Sequence, residues 1–251
     1  MKSEHQRITV IIPTYNEKET IQPRVEELSR YLCNEDFEIV IVDDNSSDGT
    51  GEIAESLGKE LPIRTIHRSA KLGLASAVAS GLRTARGEII GVMDADGSHP
   101  SSLGPELIRV VKEGTDIAVG SRYTRGGRIR NWPLQRRIMS KIAVILAKPL
   151  TRLKDPMSGY FFFKKSIMRR VNLRAKGYKI LLDIMVRGNI GKFYEVPYEF
   201  TDREKGESKI DLGVVYDYIY QLSQLYSLRL GRLMKYCIVG LSGVFINAFR
   251  F

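Results

Sequence analysis

Histidine, cysteine and tryptophan are all scarce in these 251 residues, at three, two and one. Cys33 and Cys237 lie far apart and match neither metal-ligand spacing nor a disulfide framework. That predicts a reducing, cytosol-facing compartment. Met1 to Arg7 is polar and leads straight into an apolar strand, so no secretory signal is expected. No apolar run reaches the ~20 residues of a comfortable membrane span. There is no internal repeat, no low-complexity tract, no zinc-finger spacing and no interleaved basic–aromatic strand motif, so no nucleic-acid module is expected.

Acidic residues are the minority charge: 39 Lys and Arg stand against 29 Asp and Glu, a formal net charge of +10. Much of the excess falls in Arg122 to Arg137, Lys164 to Lys176 and Arg229 to Lys235. Such a balance suits phosphate-bearing substrates or an anionic membrane, and equally a solvated basic surface. With 43% apolar and 27% charged residues the composition is that of an ordinary globular protein. The length allows one large α/β domain or two small ones.

The first half alternates apolar runs with amphipathic ones. Strands are predicted over Ile8–Ile12, Glu38–Val42, Ile63–His67, Ile89–Met93 and Ile117–Gly120. Helices are predicted over Thr20–Leu32, Gly49–Leu61, Ala75–Arg86 and Leu103–Glu113. Strands without polar alternation, separated by helices, argue a mostly parallel sheet covered on both faces. Ligands of such sheets sit at the carboxyl ends of the strands. The polar strand ends, Thr14 to Glu17, Asp43 to Ser47, Asp94 to Ser98 and Ser121-Arg122, would converge on one edge.

The pattern changes after Gly126. Trp132–Leu150 reads as a long basic amphipathic helix, suited either to a membrane interface or to an ordinary core. Leu212–Arg232 is a second amphipathic helix, with tyrosines at 216, 218, 220 and 226 that suit a bilayer boundary or a core. Tyr236–Phe249 is apolar but short, flanked by Arg229, Arg232 and Lys235. It reads as an interfacial segment or the opening of a membrane helix, against a buried terminal helix. The expected division is a catalytic domain over 1–210, an interface helix over 211–232 and the start of a membrane segment over 233–251.

The chemistry concentrates in Val92-Met93-Asp94-Ala95-Asp96-Gly97-Ser98-His99-Pro100. Two carboxylates one residue apart, at the end of a buried strand, would point the same way and suit Mg²⁺ or Mn²⁺, which keep phosphate oxygens as further ligands. The first strand ends in Pro13-Thr14-Tyr15-Asn16-Glu17, where Tyr15 offers a flat face to a nucleobase. The second ends in Asp43-Asp44-Asn45-Ser46-Ser47-Asp48-Gly49. A carboxylate there can accept hydrogen bonds from a ribose or base edge, and Ser46 to Asp48 reads as the capping turn of the next helix.

These stretches, with Lys71-Leu72-Gly73-Leu74, resemble the inverting glycosyltransferases of family 2 with the GT-A (Rossmann-like) fold. Gly120-Ser121-Arg122-Tyr123, Asn131-Trp132-Pro133, Asp155 to Phe161, Gly177 to Leu182 and Gly206-Glu207-Ser208-Lys209 are similar to dolichyl-phosphate mannose synthases. The resemblance covers about residues 8 to 247. It implies mannose transfer from GDP-mannose to dolichyl or another polyprenyl phosphate, with Mg²⁺ or Mn²⁺, at the cytoplasmic face of a membrane. It assigns Pro13, Tyr15, Glu17, Val42 and Asp44 to the nucleoside, and Asp94, Ala95 and Asp96 to the diphosphate. Asp94 and Asp96 would hold the metal, joined by Ser98 where some members have Gln. Arg122 and Arg136 would face the acceptor phosphate, with Asp96, Arg122 and Arg136 the catalytic set. Arg203 and Lys209 would close over the donor phosphates.

A lipid phosphate is already anionic near neutral pH and needs no general base, so no essential histidine is expected. Of His5, His67 and His99, only His99 neighbours the acidic pair, where a structural role is expected. The rival readings are a polyprenyl-phosphate glucosyltransferase using UDP-glucose and a non-catalytic nucleotide-sugar-binding protein at a membrane.

Overall fold

The computed structural model describes residues 6–169, 171, 179–201 and 212–248. Strands β1 (Ile8–Thr14), β2 (Phe37–Asp43), β3 (Ile63–His67), β4 (Ile89–Val92) and β5 (Ile117–Ser121) come first. Helices α1 (Lys18–Tyr31), α2 (Thr50–Leu57), α3 (Leu74–Thr84) and α4 (Gly104–Lys112) alternate with them. Then follow β6 (Arg128–Arg130), α5 (Leu134–Ala147), β7 (Phe161–Lys164), α6 (Ile180–Arg187), β8 (Phe193–Pro197), β9 (Glu199–Thr201) and α7 (Leu212–Ala248). The main sheet has seven strands in the order β3-β2-β1-β4-β7-β5-β8, and β6 pairs with β9 beside it.

Burial on both faces explains why the first strands show no polar alternation. Ile8, Val10 and Ile12 enter one core layer with Ile21, Val25 and Leu28 of α1 and Leu107 of α4. Ile11 enters the opposite layer with Val40, Val42, Ala75, Val78 and Ile184. Helix α2 ends at Leu57, sooner than predicted: the chain turns at Gly58, and Pro62 disfavours a helical Leu61.

Every strand of the main sheet runs the same way except β7, which is antiparallel to β4 and β5. No strand was expected at Phe161–Lys164. Phe161 and Phe163 pack into one layer and Phe162 into the other, so both faces are apolar. Gly91 stands opposite Phe162, whose ring occupies the space a Cβ would need. With β7 inserted, the carboxyl ends of β1, β2, β4 and β5 still share one edge, as predicted.

Helix α5 resolves one alternative. Leu134, Ile138, Met139, Ile142, Ile145 and Leu146 are exposed, and only Val144 and Ala147 are buried. Its apolar stripe faces outward, which an ordinary core helix does not do. Helix α7 packs Tyr218, Leu222 and Leu225 against Val144 and Ala147 of α5 and Leu182 and Val186 of α6. It runs from Leu212 to Ala248 without a break, so the backbone marks no boundary near residue 232. Among the described residues, no helix is long and apolar enough to cross a membrane.

Candidate active site

Strand β4 stops at Val92, so Asp94 and Asp96 stand in the following loop rather than on the strand. A turn, not the pleat, therefore sets their directions. Asp96 Oδ1 accepts from the backbone N–H of Ser98 at 3.0 Å and from its hydroxyl at 2.5 Å. Gly97 supplies the left-handed backbone this turn needs, with φ at +79°. From behind, the Arg24 guanidinium of α1 donates to the Gly97 and His99 carbonyls at 3.3 and 3.5 Å.

Asp94 and Asp96 are both half-exposed, while Ala95 between them is buried in the core. Asp94 lies 3.3 Å from His99 Nε2 and directly over Gly159, where any Cβ would collide with its carboxylate. With Leu74, Val78, Ser158, Lys179 and Ile180, it lines a cleft between α3 and the start of α6. The cleft wall at Lys179 is held by α7: the Lys179 N–H donates to Gln221 Oε1 at 3.1 Å, and Gln221 Nε2 donates to the Lys179 carbonyl at 2.9 Å. The Ser98 side chain is buried and its hydroxyl engaged by Asp96, which makes it a support of that carboxylate rather than an open ligand.

Among the described residues, no group of three or more His, Cys, Asp and Glu is placed to hold a metal. Two half-exposed carboxylates beside a cleft still fit Mg²⁺ or Mn²⁺, which take one or two protein carboxylates and complete their shells with water and phosphate oxygens.

The residues expected at a nucleoside gather at the ends of β1 and β2. Pro13 and Val42 are buried and face each other in register. Tyr15 is exposed, with the Lys71 ammonium 3.8 Å above its ring. Glu17 precedes α1 and accepts from the Thr20 hydroxyl at 2.8 Å. The capping turn expected over Ser46 to Asp48 falls one residue later: α2 is capped at Gly49, without a side-chain cap, while Asp48 Oδ1 accepts from Thr50 N–H at 3.0 Å. Asp44 is buried and already engaged. It accepts from the N–H groups of Leu72 and Gly73, at 3.0 and 2.7 Å, and pairs with Arg68 at 2.9 Å. Its carboxylate thus fastens the Lys71–Leu74 loop beside Tyr15.

Arg122 directly follows β5, as expected, but it is buried. Its Nε and Nη2 donate to the two oxygens of Asp155, both at 2.7 Å, and its backbone N–H donates to Oδ2 at 3.0 Å. Burial alone would favour the neutral form; the pairing with Asp155 outweighs it and keeps the guanidinium charged. The rings of Trp132, Phe200 and Tyr123 lie 5.3 to 5.5 Å from it. Arg136, on the first turns of α5, is half-exposed and lies 4.5 Å from the Trp132 ring. Both arginines therefore lie against the Trp132 ring. Arg203 and Lys209 lie outside the described residues.

Residues 9–175 match the model of glycosyl transferase family 2. The chain belongs to that family. As a family 2 glycosyltransferase it is 40% identical over 247 residues to a dolichol-phosphate mannosyltransferase of Pyrococcus furiosus, covering 96% of this chain and 70% of that one. It is 35% identical over 236 residues to the dolichol-phosphate mannosyltransferase of Saccharomyces cerevisiae, covering 89% and 88%. Among solved structures, mannosyl-3-phosphoglycerate synthase from Rubrobacter xylanophilus superposes with a TM-score of 0.66 at 18% identity, over 87% of this chain and 73% of that one. Glucosyl-3-phosphoglycerate synthase from Mycobacterium tuberculosis, in complex with Mn²⁺, UDP and glucosyl-3-phosphoglycerate, superposes with a TM-score of 0.64 at 20% identity, over 90% and 80%. At such identities the likeness carries the GT-A fold alone. Sequence reasoning gave no role to Asp155, Tyr198, Arg68 or Arg24. Only the Asp155-Pro156-Met157 motif signalled the first, and nothing local signals the others.

Proposed function

We propose that this glycosyltransferase transfers mannose from GDP-mannose to dolichyl or another polyprenyl phosphate, with inversion at the anomeric carbon. The observation that carries this reading is the 35 to 40% identity, over most of the chain, with relatives named as dolichol-phosphate mannosyltransferases. Tyr15 and the β1 and β2 ends would receive the guanosine, Asp94 and Asp96 the diphosphate and its divalent cation. When bound, Mg²⁺ or Mn²⁺ neutralises negative charge on the departing diphosphate.

The chain's own residues supply position and charge. Arg136 is the exposed-side cation for the acceptor phosphate, suited to it by a planar fork that binds oxygens in pairs. Arg122, its charge balanced by Asp155, braces the Trp132 wall beside which Arg136 stands. A phosphate oxygen forms the new bond to the anomeric carbon as the bond to GDP breaks, so a single displacement inverts the α-linked sugar. No proton has to leave the nucleophile, consistent with a site whose nearby imidazole, His99, is buried and engaged on both nitrogens.

The outward apolar stripe of α5, flanked by Arg137 and Lys141, supports a membrane-surface location beside the lipid acceptor. Tyr216, Ile219, Tyr220 and Leu230 of α7 are exposed as well. We assign residues 1–210 to catalysis, 211–232 to the interface and 233–251 to the start of a membrane segment, with the cytoplasmic face as the working side.

The test is transfer of radiolabel to polyprenyl phosphate. Labelled lipid should form from GDP-mannose, not from UDP-glucose, and should disappear with EDTA. Asp96→Ala should abolish it while leaving the fold intact. Label passing from UDP-glucose instead, or full activity in Asp96→Ala, would overturn the reading.

A further inference from the structure

His99 is 3% exposed, yet both of its ring nitrogens meet polar atoms. Nε2 lies 3.3 Å from Asp94 Oδ2, and Nδ1 lies 3.0 Å from the Tyr198 hydroxyl. Rings of Tyr160, Tyr198 and Phe200 box the imidazole at 5.4, 5.7 and 5.8 Å between centroids.

The partners dictate the proton positions. An ionised carboxylate only accepts, so Nε2 carries the hydrogen toward Asp94, and Nδ1 accepts from the tyrosine O–H. Tyr198 can serve as donor because burial pushes its phenol well above the ordinary tyrosine range. Its own backbone N–H donates to the Ser121 carbonyl at 3.3 Å, which anchors it to the end of β5.

Packing alone does not call for this arrangement. An aromatic box would accept an apolar side chain at no desolvation cost, whereas two buried ring nitrogens must each be satisfied. One of them is satisfied by the half-exposed carboxylate that lines the cleft. Gly159 lies against the same oxygen, where any Cβ would collide with it, so histidine and glycine both bear on Oδ2.

We propose that His99, itself oriented by Tyr198, is a positioning residue that holds the Asp94 carboxylate in the orientation used by the divalent cation and donor diphosphate. The proposal rests on the reading of Asp94 and Asp96 as cation-binding residues. Outer-shell partners of this kind, when removed, typically cost about 10–100-fold in metal affinity.

The experiment is Mn²⁺ binding to the full chain in the presence of GDP, read from the loss of the free-Mn²⁺ paramagnetic resonance signal. His99→Met and Tyr198→Phe should weaken Mn²⁺ by about 10–100-fold. His99→Gln, whose side-chain amide can donate near the position of Nε2, should stay close to the unsubstituted chain. Equal binding by the Met and Gln variants would assign the ring to packing and overturn the proposal. If His99→Met does not fold, Tyr198→Phe decides, since it removes one oxygen: unchanged Mn²⁺ affinity there overturns the proposal. Asp96→Ala separates the two readings. Should it bind Mn²⁺ as tightly as the unsubstituted chain, the cation assignment itself fails; should it lose Mn²⁺ while Tyr198→Phe keeps it, only the positioning role fails.

Discussion

Arg122 and Arg136 carry the same charge a few ångströms from one indole, and burial gives them different work. Both forked N–H groups of Arg122 face a carboxylate with no solvent exposure at all. Arg122→Ala would strand Asp155 as a buried unpaired charge, a loss of about 3–5 kcal/mol. Thermal or denaturant unfolding should register it before any assay does. Arg136→Ala should leave the unfolding midpoint close to unchanged and raise the KM for lipid phosphate more than that for GDP-mannose; equal rises would argue against an acceptor role. At this scale the spacing of Asp94 and Asp96 and the strand-end place of Arg122 were legible. The partners were not: Asp155 lies 33 residues beyond Arg122, and Tyr198 lies 99 beyond His99. Only the folded sheet brings them together.

Elements were legible where periodicity was unambiguous. The first five strands and the helices between them followed from apolar runs and amphipathic spacing, whereas β6, α6, β8 and β9 were not predicted. Strand β7 did not, because three phenylalanines buried on both faces have neither alternation nor a direction written into them. Helix α5 shows the converse case: its amphipathic pattern was plain, but a pattern does not say whether the apolar side meets protein or lipid. The outward stripe predicts that Ile138→Glu with Ile145→Glu will weaken co-sedimentation with anionic vesicles, leaving what residues 211–251 contribute. The same double variant should unfold at a nearly unchanged temperature, since both side chains are exposed. Vesicle affinity unchanged by both substitutions would remove α5 from the membrane surface.

Across the whole molecule, the two edges of the sheet are built for different ends. The carboxyl edge holds half-exposed aspartates. The amino edge holds Glu38, which is buried and joins three segments through Thr9, Arg64 and the Arg86 backbone, at 2.8, 3.1 and 2.8 Å. Burial would raise its pKa, but the hydrogen bonds from Arg86, Thr9 and Arg64 outweigh it and hold the carboxyl below the ordinary glutamate range. A depressed carboxyl stabilises the fold fully above the unfolded value of about 4.3. That contribution fades as pH falls from there through the lower folded value. Glu38→Gln should therefore cost about 1–3 kcal/mol at neutral pH. It should also flatten the acid limb of a stability–pH curve; a limb of unchanged steepness would exclude Glu38 as its source.

Gln221 grips Lys179 by both its donor and its acceptor, which makes the mouth of the cleft and the long terminal helix one mechanical piece. A tilt of this helix would then move the Lys179 wall of the cleft beside Asp94, so detergent micelles and native-like nanodiscs should give different turnover from identical chemistry.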